Sequence, residues 1–429
     1  MSARYLLRIL FLSAFGLSGI YALPAGANAD VFPKPPLLDD AVQFWQQVFT
    51  VWRRDQVVLH DDEYLGVVYD VIDLPAPDSE GLTAGQKAYV QYRRDIVENN
   101  LRDLERRLQL ALSLGSEHQR LLEMFAKASD KYAAIGARNR VRTQRGMRER
   151  FIQGVARSGR YDRRIRQVFR DFGLPEDLAY LPHVESSFIN HAHSSAGAAG
   201  VWQFMRGTGL HYLTINRAVD ERFDPVFAAR GAARYLGNAY RQLGDWGLAI
   251  TSYNHGVGGM LRARRDVGPA IEKIVRHYKG PRFGFASRNF YAEFLAVRSI
   301  MGDISKHIPG GIRLQPPMDS EYVRLSRRVT FRQLANVYGV FPHVLEYLNP
   351  ALSTRAVRGK VALPAGTDLW IPRERLAQSG RFAPYAERQT RFNLEKPSVQ
   401  AFRRTARPAN SRIVAKGAAQ SKRAAPQRK

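Results

Sequence analysis

The chain has 429 residues, with 65 Lys plus Arg against 39 Asp plus Glu, a formal net charge of +26 and 45% hydrophobic residues. That length and apolar content suit roughly two to four folded units. There is no cysteine, which excludes disulfides, thiolate metal sites, cysteine nucleophiles and lipidation through a cysteine. The positive balance favours polyanions: nucleic acid, acidic membrane or anionic cell-wall polymer.

At the amino terminus Arg4 and Arg8 precede an apolar run from Ile9 to Leu23, and Ala27-Asn28-Ala29 follows as a small-residue cleavage pattern. Residues 1–29 read as a secretory signal peptide cut before Asp30, with an uncleaved anchor as the alternative. The run is shorter than the ~20 residues a membrane helix needs. Export argues against nucleic acid as the natural ligand.

Residues 30–150 read as a helical accessory region. A helix is predicted around Asp40–Arg54, with Trp45, Val48, Phe49 and Trp52 on one face. Val67–Leu74 is a short β-branched strand candidate, and His60-Asp61-Asp62-Glu63 reads as a polar loop. From Gln86 to about Arg150 the pattern is helical, with Val97, Leu101, Leu104, Leu108 and Leu112 on one stripe. Residues 151–315 are also mainly helical and richer in Gly, Ala and aromatics. Pro316-Pro317 reads as a linker. Residues 319–374 read as a compact β-α-α-β module, with strands at Tyr322–Leu325 and Leu369–Ile371. Residues 375–429 form a basic tail; from Lys396 on it has ten Lys or Arg and no acid, a composition that favours disorder.

The informative stretch begins at Gly173-Leu174-Pro175-Glu176-Asp177, a helix start with Pro and acids in its first turn. Glu185 falls near the carboxyl end of that helix, flanked by Leu178, Leu181 and Phe188. A carboxyl among apolar groups has its charged form disfavoured, so it stays protonated to higher pH and can act as a general acid. Next comes Ser194-Ser195-Ala196-Gly197-Ala198-Ala199-Gly200-Val201-Trp202-Gln203-Phe204-Met205. Its glycines permit close backbone approach, Gln203 offers an amide, and Trp202 and Phe204 offer flat faces. Thr251-Ser252-Tyr253-Asn254-His255-Gly256 adds a phenol. Acid, glycine loop, amide and aromatics together suit a carbohydrate cleft. No Gly-Lys-Ser/Thr follows, so the loop is not a phosphate-binding P-loop.

Glu-Ser, then Ser-x-x-Gly-Ala-x-Gly-x-x-Gln-Phe-Met, then Tyr-Asn-x-Gly resembles the soluble lytic transglycosylase domain of bacterial peptidoglycan enzymes, in the version of the membrane-bound lytic murein transglycosylase D group. Asp220–Pro225, Ala232–Leu236 and Arg288–Ala296 add to the resemblance, which covers about residues 150–305. It implies a mainly α, goose-lysozyme-like catalytic domain and a periplasmic location in a Gram-negative bacterium, with association to membrane or cell wall. It also implies Glu185 as the single catalytic carboxylate, first acid and then base, cleaving the bond between N-acetylmuramic acid and N-acetylglucosamine and leaving 1,6-anhydro ends. Ser194, Gln203, Phe204, Met205, Tyr253, Asn254 and Phe290 are the implied substrate-binding residues, and Glu293 is a weaker second carboxylate. No metal or cofactor is implied. The sequence departs from the broader family at His255, where Ala is usual, and at Arg206, where Pro often stands.

The 319–374 module resembles a LysM domain through Val329-Thr330, Leu334-Ala335, Tyr338-Gly339-Val340, Leu348-Asn349-Pro350 and Leu369-Trp370-Ile371-Pro372. That implies binding of N-acetylglucosamine-containing glycan. The Gly-Asp that usually precedes the Thr is Arg328-Val329 here. Competing readings are a lysozyme-type hydrolase on the same scaffold and a non-catalytic wall-binding protein. His183, Glu185, His191 and His193 lie close in sequence, but neither the cysteine pair of zinc deaminases nor His-Glu-x-x-His accompanies them.

Overall fold

A computed structural model describes residues 30–75, 81–126, 133–378 and 386–388. The expected signal peptide and the chain beyond 388 lie outside the described residues. Among these the chain is mainly helical with three small sheets, and no helix is long and apolar enough to cross a membrane.

The first apolar stripe folds as the helix Asp39–Thr50, with Asp39 and Asp40 in its first turn, where carboxylates favour the positive end of the helix. Trp45, Val48, Phe49 and Trp52 are buried as expected. This helix packs on Phe285–Gly302. Trp45 Nε1 donates to Asn289 Oδ1 (3.2 Å), and Phe49 stacks on Phe151 with centroids 5.0 Å apart.

Strands β1 (Gln56–Asp61), β2 (Val68–Asp73) and β3 (Val141–Arg145) form an antiparallel sheet in the order β2-β1-β3. β2 is the expected strand; the other two correct the sequence reading. His60 and Asp61, expected in a polar loop, sit in β1 with no exposed surface. β1 is covered on both faces, Val58 by the main core and Leu59 by a smaller one, so it lacks the alternation of a half-exposed strand. β3 is mostly polar and lies inside the stretch read as helical. The helix Ala84–Gln109 opens with a Thr83/Gln86 capping box. It buries Val97, Leu101 and Leu104 against the sheet. Leu108 and Leu112 leave the expected stripe and are 37% and 46% exposed; the stripe loses its partner in the last turn, and Leu112 falls beyond the helix.

Asp61 is the polar centre of this unit. Its carboxylate accepts from Arg140 Nε (3.0 Å to each oxygen), Tyr69 Oη (3.0 Å) and the backbone N–H of Glu63 and Tyr64. A buried carboxylate stripped of its cation is strongly destabilising. Arg140→Ala is therefore expected to lower unfolding free energy by about 3 kcal/mol. Denaturant unfolding checks this; a change under 1 kcal/mol contradicts it.

The helices Arg148–Ser158, Asp162–Asp171, Leu181–Ser186, Arg206–Tyr212, Pro225–Leu243, Trp246–His255 and Phe285–Gly302 build the middle of the chain. Between them β4 (Ala198–Ala199) and β5 (Phe204–Met205) pair as a hairpin. The following module has β6 (Ser320–Leu325), the helices Phe331–Val337 and Pro342–Leu348, a short helix Thr354–Val357, and β7 (Asp368–Pro372) antiparallel to β6. The expected boundary at 375 falls within the helix Arg373–Gln378. Beyond it β8 (Ala386–Arg388) pairs with the free edge of β6, so the start of the expected basic tail is part of the fold.

The module is joined to the helical region through buried polar contacts. Asp224 caps Pro225–Leu243 by accepting from Val226 N and Phe227 N (2.9 Å each), and its other oxygen accepts from Trp370 Nε1 (2.7 Å). Trp370 is fully buried and stacks on Phe227 at 5.1 Å. Arg230 bonds Asp368 (2.8 Å) and Glu221 (3.4 Å), and Arg324 reaches Asp368 from the module side (2.8 and 3.0 Å). Burial outweighs the hydrogen bonds at Asp224 and pushes its carboxyl up to about 6.

Candidate active site

Leu174-Pro175-Glu176-Asp177 starts a 3₁₀ turn, Glu176–Tyr180, that runs into the α-helix Leu181–Ser186. Glu185 lies in the last turn of that helix, near the carboxyl end as expected. Leu178, Leu181 and Phe188 are buried beside it. Immediately after the helix, Ser187 (φ 51°) and Phe188 (φ 55°) are both left-handed, a conformation that costs a non-glycine residue about 1–2 kcal/mol. Such strain persists only where surrounding contacts over-determine it. Arg157 supplies two of those contacts: Nη2 donates to Ser187 O (2.7 Å) and Nε to Phe188 O (3.2 Å). A Cβ on Gly154 would lie 2.7 Å from Ser187 O, so glycine there lets the Arg148–Ser158 helix close on the strained turn.

The β4–β5 hairpin is tied to the Glu185 helix and to the aromatic cluster. Ser186 Oγ donates to Val201 O (2.9 Å), and Tyr253 Oη donates to Trp202 O (2.9 Å). Gly200 has φ 77°, and a Cβ there would sit 1.7 Å from Arg222 O, so no other residue fits. Ser194 Oγ accepts from Ala198 N (3.0 Å). Gln203, at φ 48°, donates from its amide to Gly200 O (2.8 Å) and Ala192 O (3.4 Å). Its donor nitrogen thus braces the loop. Asn254 is exposed and accepts from Ser287 Oγ (2.7 Å). Met205 is 44% exposed. Phe204 and Phe290, expected to line the groove, are each only 3% exposed. They pack on Tyr253, edge-on at 5.9 Å and stacked at 6.5 Å, and so set the position of its ring from behind.

Glu185 is partly accessible yet closely surrounded. Burial, and then the neighbouring charge of Glu293, push its carboxyl up to about 8. Burial alone raises Glu293 to about 8. Burial and then Glu185 also raise the Tyr253 phenol well above its usual range. Glu185, Glu293 and Tyr253 therefore form one electrostatic group, a carboxylic acid pair beside a neutral phenol. In sequence Glu293 is the weaker candidate; its signal is a lone carboxylate inside the apolar run Phe290-Tyr291-Ala292-Glu293-Phe294-Leu295-Ala296. Arg157, distant in sequence, was not singled out at all.

The nearby histidines do not converge with Glu185. His183 is buried among the rings of Phe151, Tyr180 and Phe188, and burial holds it down at about 3, uncharged. His191 and His193 lie against Phe223. Of the two departures from the family pattern, His255 packs 4.9 Å from Phe283, and Arg206 is exposed, 4.0 Å from Asp220.

Residues 170–274 match the family model described as the Transglycosylase SLT domain. That span includes Glu185, Ser194, Gln203, Tyr253 and Asn254, while Phe290 and Glu293 fall after it. The chain is 30% identical over 181 residues to the membrane-bound lytic murein transglycosylase D of Escherichia coli strain K12, covering 41% of this chain and 39% of that protein. It is 30% identical over 154 residues to the membrane-bound lytic murein transglycosylase F 2 of Alkalilimnicola ehrlichii, covering 30% of this chain and 33% of that one. The matches thus span well under half the length of these relatives. Among solved structures, the 70 kDa soluble lytic transglycosylase of Escherichia coli aligns at 20% identity and TM-score 0.29, over 35% of this chain and 26% of that chain. The family model thus covers the segment that carries Glu185, and residues 170–274 match a transglycosylase SLT domain.

Proposed function

We propose that the chain is a peptidoglycan lytic transglycosylase in which Glu185 is the acid and then the base. The observation that carries this reading is Glu185 itself, a carboxyl in the last turn of Leu181–Ser186 whose ionised form burial disfavours, within the segment that matches the SLT domain. Protonated Glu185 gives its proton to the oxygen linking C1 of N-acetylmuramic acid to N-acetylglucosamine, and the C1–O bond breaks. The muramyl N-acetyl group stabilises the positive charge at C1. The Glu185 carboxylate then takes the proton from the muramyl 6-hydroxyl as O6 bonds C1, closing the 1,6-anhydro ring. The acid is restored and no water is consumed. Ordinary glycosidases divide these roles between two carboxylates; here burial keeps Glu185 protonated, and Glu293 adds to this only as it ionises. Ser194, Gln203, Tyr253 and Asn254 shape the glycan groove, with Met205 at its exposed edge. Phe204 and Phe290 position Tyr253. Residues 30–429 are expected to clear a suspension of purified sacculi, with the same rate in chelator. Retention on sacculi without clearing would favour the wall-binding reading.

The pH profile follows from the pair. Activity is expected to fall above about pH 8 as Glu185 ionises. Glu293→Gln removes the charge that raises Glu185, so its alkaline limb should move to lower pH. An unmoved limb contradicts the coupling.

The Ser320–Pro372 module is proposed to be a LysM-like glycan-binding domain, supported by its β-α-α-β order. Residues 1–29 are proposed as the leader that exports the chain to the periplasm. The basic stretch from Lys396 is proposed to contact anionic wall or membrane. Deleting 396–429 should then weaken sedimentation with sacculi at low salt and have little effect at high salt; equal sedimentation at low salt rejects the contact.

A further inference from the structure

A recess of about 280 Å³ lies between the accessory region and the turn that follows Glu185. Arg54, Arg145, Arg150 and Arg157 line it, against one carboxylate, Glu149. Glu149 Oε2 is already engaged by the backbone N–H of Arg54 (2.8 Å), and Arg145 Nε donates to Arg54 O (2.6 Å). Arg157 donates to the carbonyls of Ser187 and Phe188. Among the described residues neither Arg150 nor Arg157 pairs with a carboxylate. Burial and the nearby Arg150 charge both press on the Arg157 guanidinium. Like charges gathered in a concave site focus an electrostatic field and call for an anion, and guanidiniums suit carboxylates by bidentate geometry.

Resting on the transglycosylase reading, we propose that this recess is a carboxylate subsite for the acidic peptide stem of the peptidoglycan strand held at Glu185. Ile189 lines the recess and follows Glu185 by four residues, at most ~14 Å of extended chain. A stem of about four residues reaches a similar ~14 Å. The recess is thus within a stem's length, along the chain, of the helix that carries Glu185. The recess also joins two parts of the chain. Arg54, Arg145 and Arg150 come from the accessory region and the turn and helix that follow it, and Arg157 holds the strained turn behind Glu185. Stem binding thus uses the accessory region as part of the substrate site.

The test compares wild type with Arg150→Glu, a change at an exposed side chain, on intact sacculi and on glycan strands stripped of stems by an amidase. The expected result is a roughly tenfold drop in kcat/KM on stem-bearing material, carried by KM, with cleavage of stripped strands unchanged. An equal drop on both substrates, or none on either, overturns the subsite. If the wild type cleaves neither substrate, the transglycosylase reading fails, and equilibrium binding of a soluble stem tetrapeptide decides the subsite on its own. There, Arg150→Glu should raise Kd at least fivefold, and an unchanged Kd overturns it.

Discussion

Glu185→Gln is expected to lower peptidoglycan cleavage by about a thousandfold, the scale of general acid–base catalysis, while glycan binding and fold are kept. Glutamine matches the protonated carboxyl in shape but has no acidic proton to give. The substitution should also change stability with a definite sign. Glu185 is raised from 4.5 to about 8 in the fold, so its bound proton stabilises the native state. That contribution is complete below about pH 4.5 and is lost as pH rises through about 8. Glutamine has no such loss. The variant should therefore unfold at a higher temperature than wild type at pH 9, by a smaller margin at pH 6, and at a similar temperature near pH 4. Loss of activity together with this alkaline stabilisation separates a functional buried acid from a merely structural one. Near-normal turnover would remove Glu185 from the mechanism.

Trp370→Ala is expected to be the most damaging substitution for stability, at about 3–5 kcal/mol. The indole is fully buried and stacks flat on Phe227. Its Nε1 satisfies the Asp224 oxygen not used in capping. Alanine leaves a cavity and an unsatisfied buried acceptor together. Trp370→Phe keeps most of the packing and should cost less. The indole bridges the module and the Pro225–Leu243 helix, which also share the Arg230–Asp368 and Arg324–Asp368 bonds. Wild-type unfolding in urea should therefore show both regions melting together. A separate module transition, or a cost under 1 kcal/mol for the alanine variant, contradicts the fused interface. The interface also fixes the module relative to the Glu185 domain.

Local pattern made some of this legible. The Trp45–Trp52 stripe, β2 and the β-α-α-β module follow from period, caps and turn residues that agree with their tertiary partners. β1 and β3 were hidden for opposite reasons: one is buried on both faces and the other is mostly polar. The module's second partner was hidden as well, because Trp370 reads as an ordinary strand residue and Asp368 carries no signal until Asp224 and Arg230 are brought beside them. In the candidate site, Glu185 was legible because a carboxylate stood among Leu178, Leu181 and Phe188. Glu293 carried the same signal more faintly. Phe204 and Phe290 were read as cleft walls because sequence cannot tell which face of an aromatic turns inward. Arg157 holds carbonyls thirty and thirty-one residues away, and a single guanidinium leaves no spacing pattern.

Cleavage by ring closure, with no water added, is what separates this chemistry from hydrolysis. Mass analysis of the soluble fragments released from purified peptidoglycan by residues 30–429 tests it most directly. Ring closure gives muramyl ends one water lighter than hydrolytic ends, carrying the 1,6-anhydro ring. Reducing muramyl ends would contradict it and make the chain a lysozyme-type hydrolase that uses Glu185 on the same scaffold.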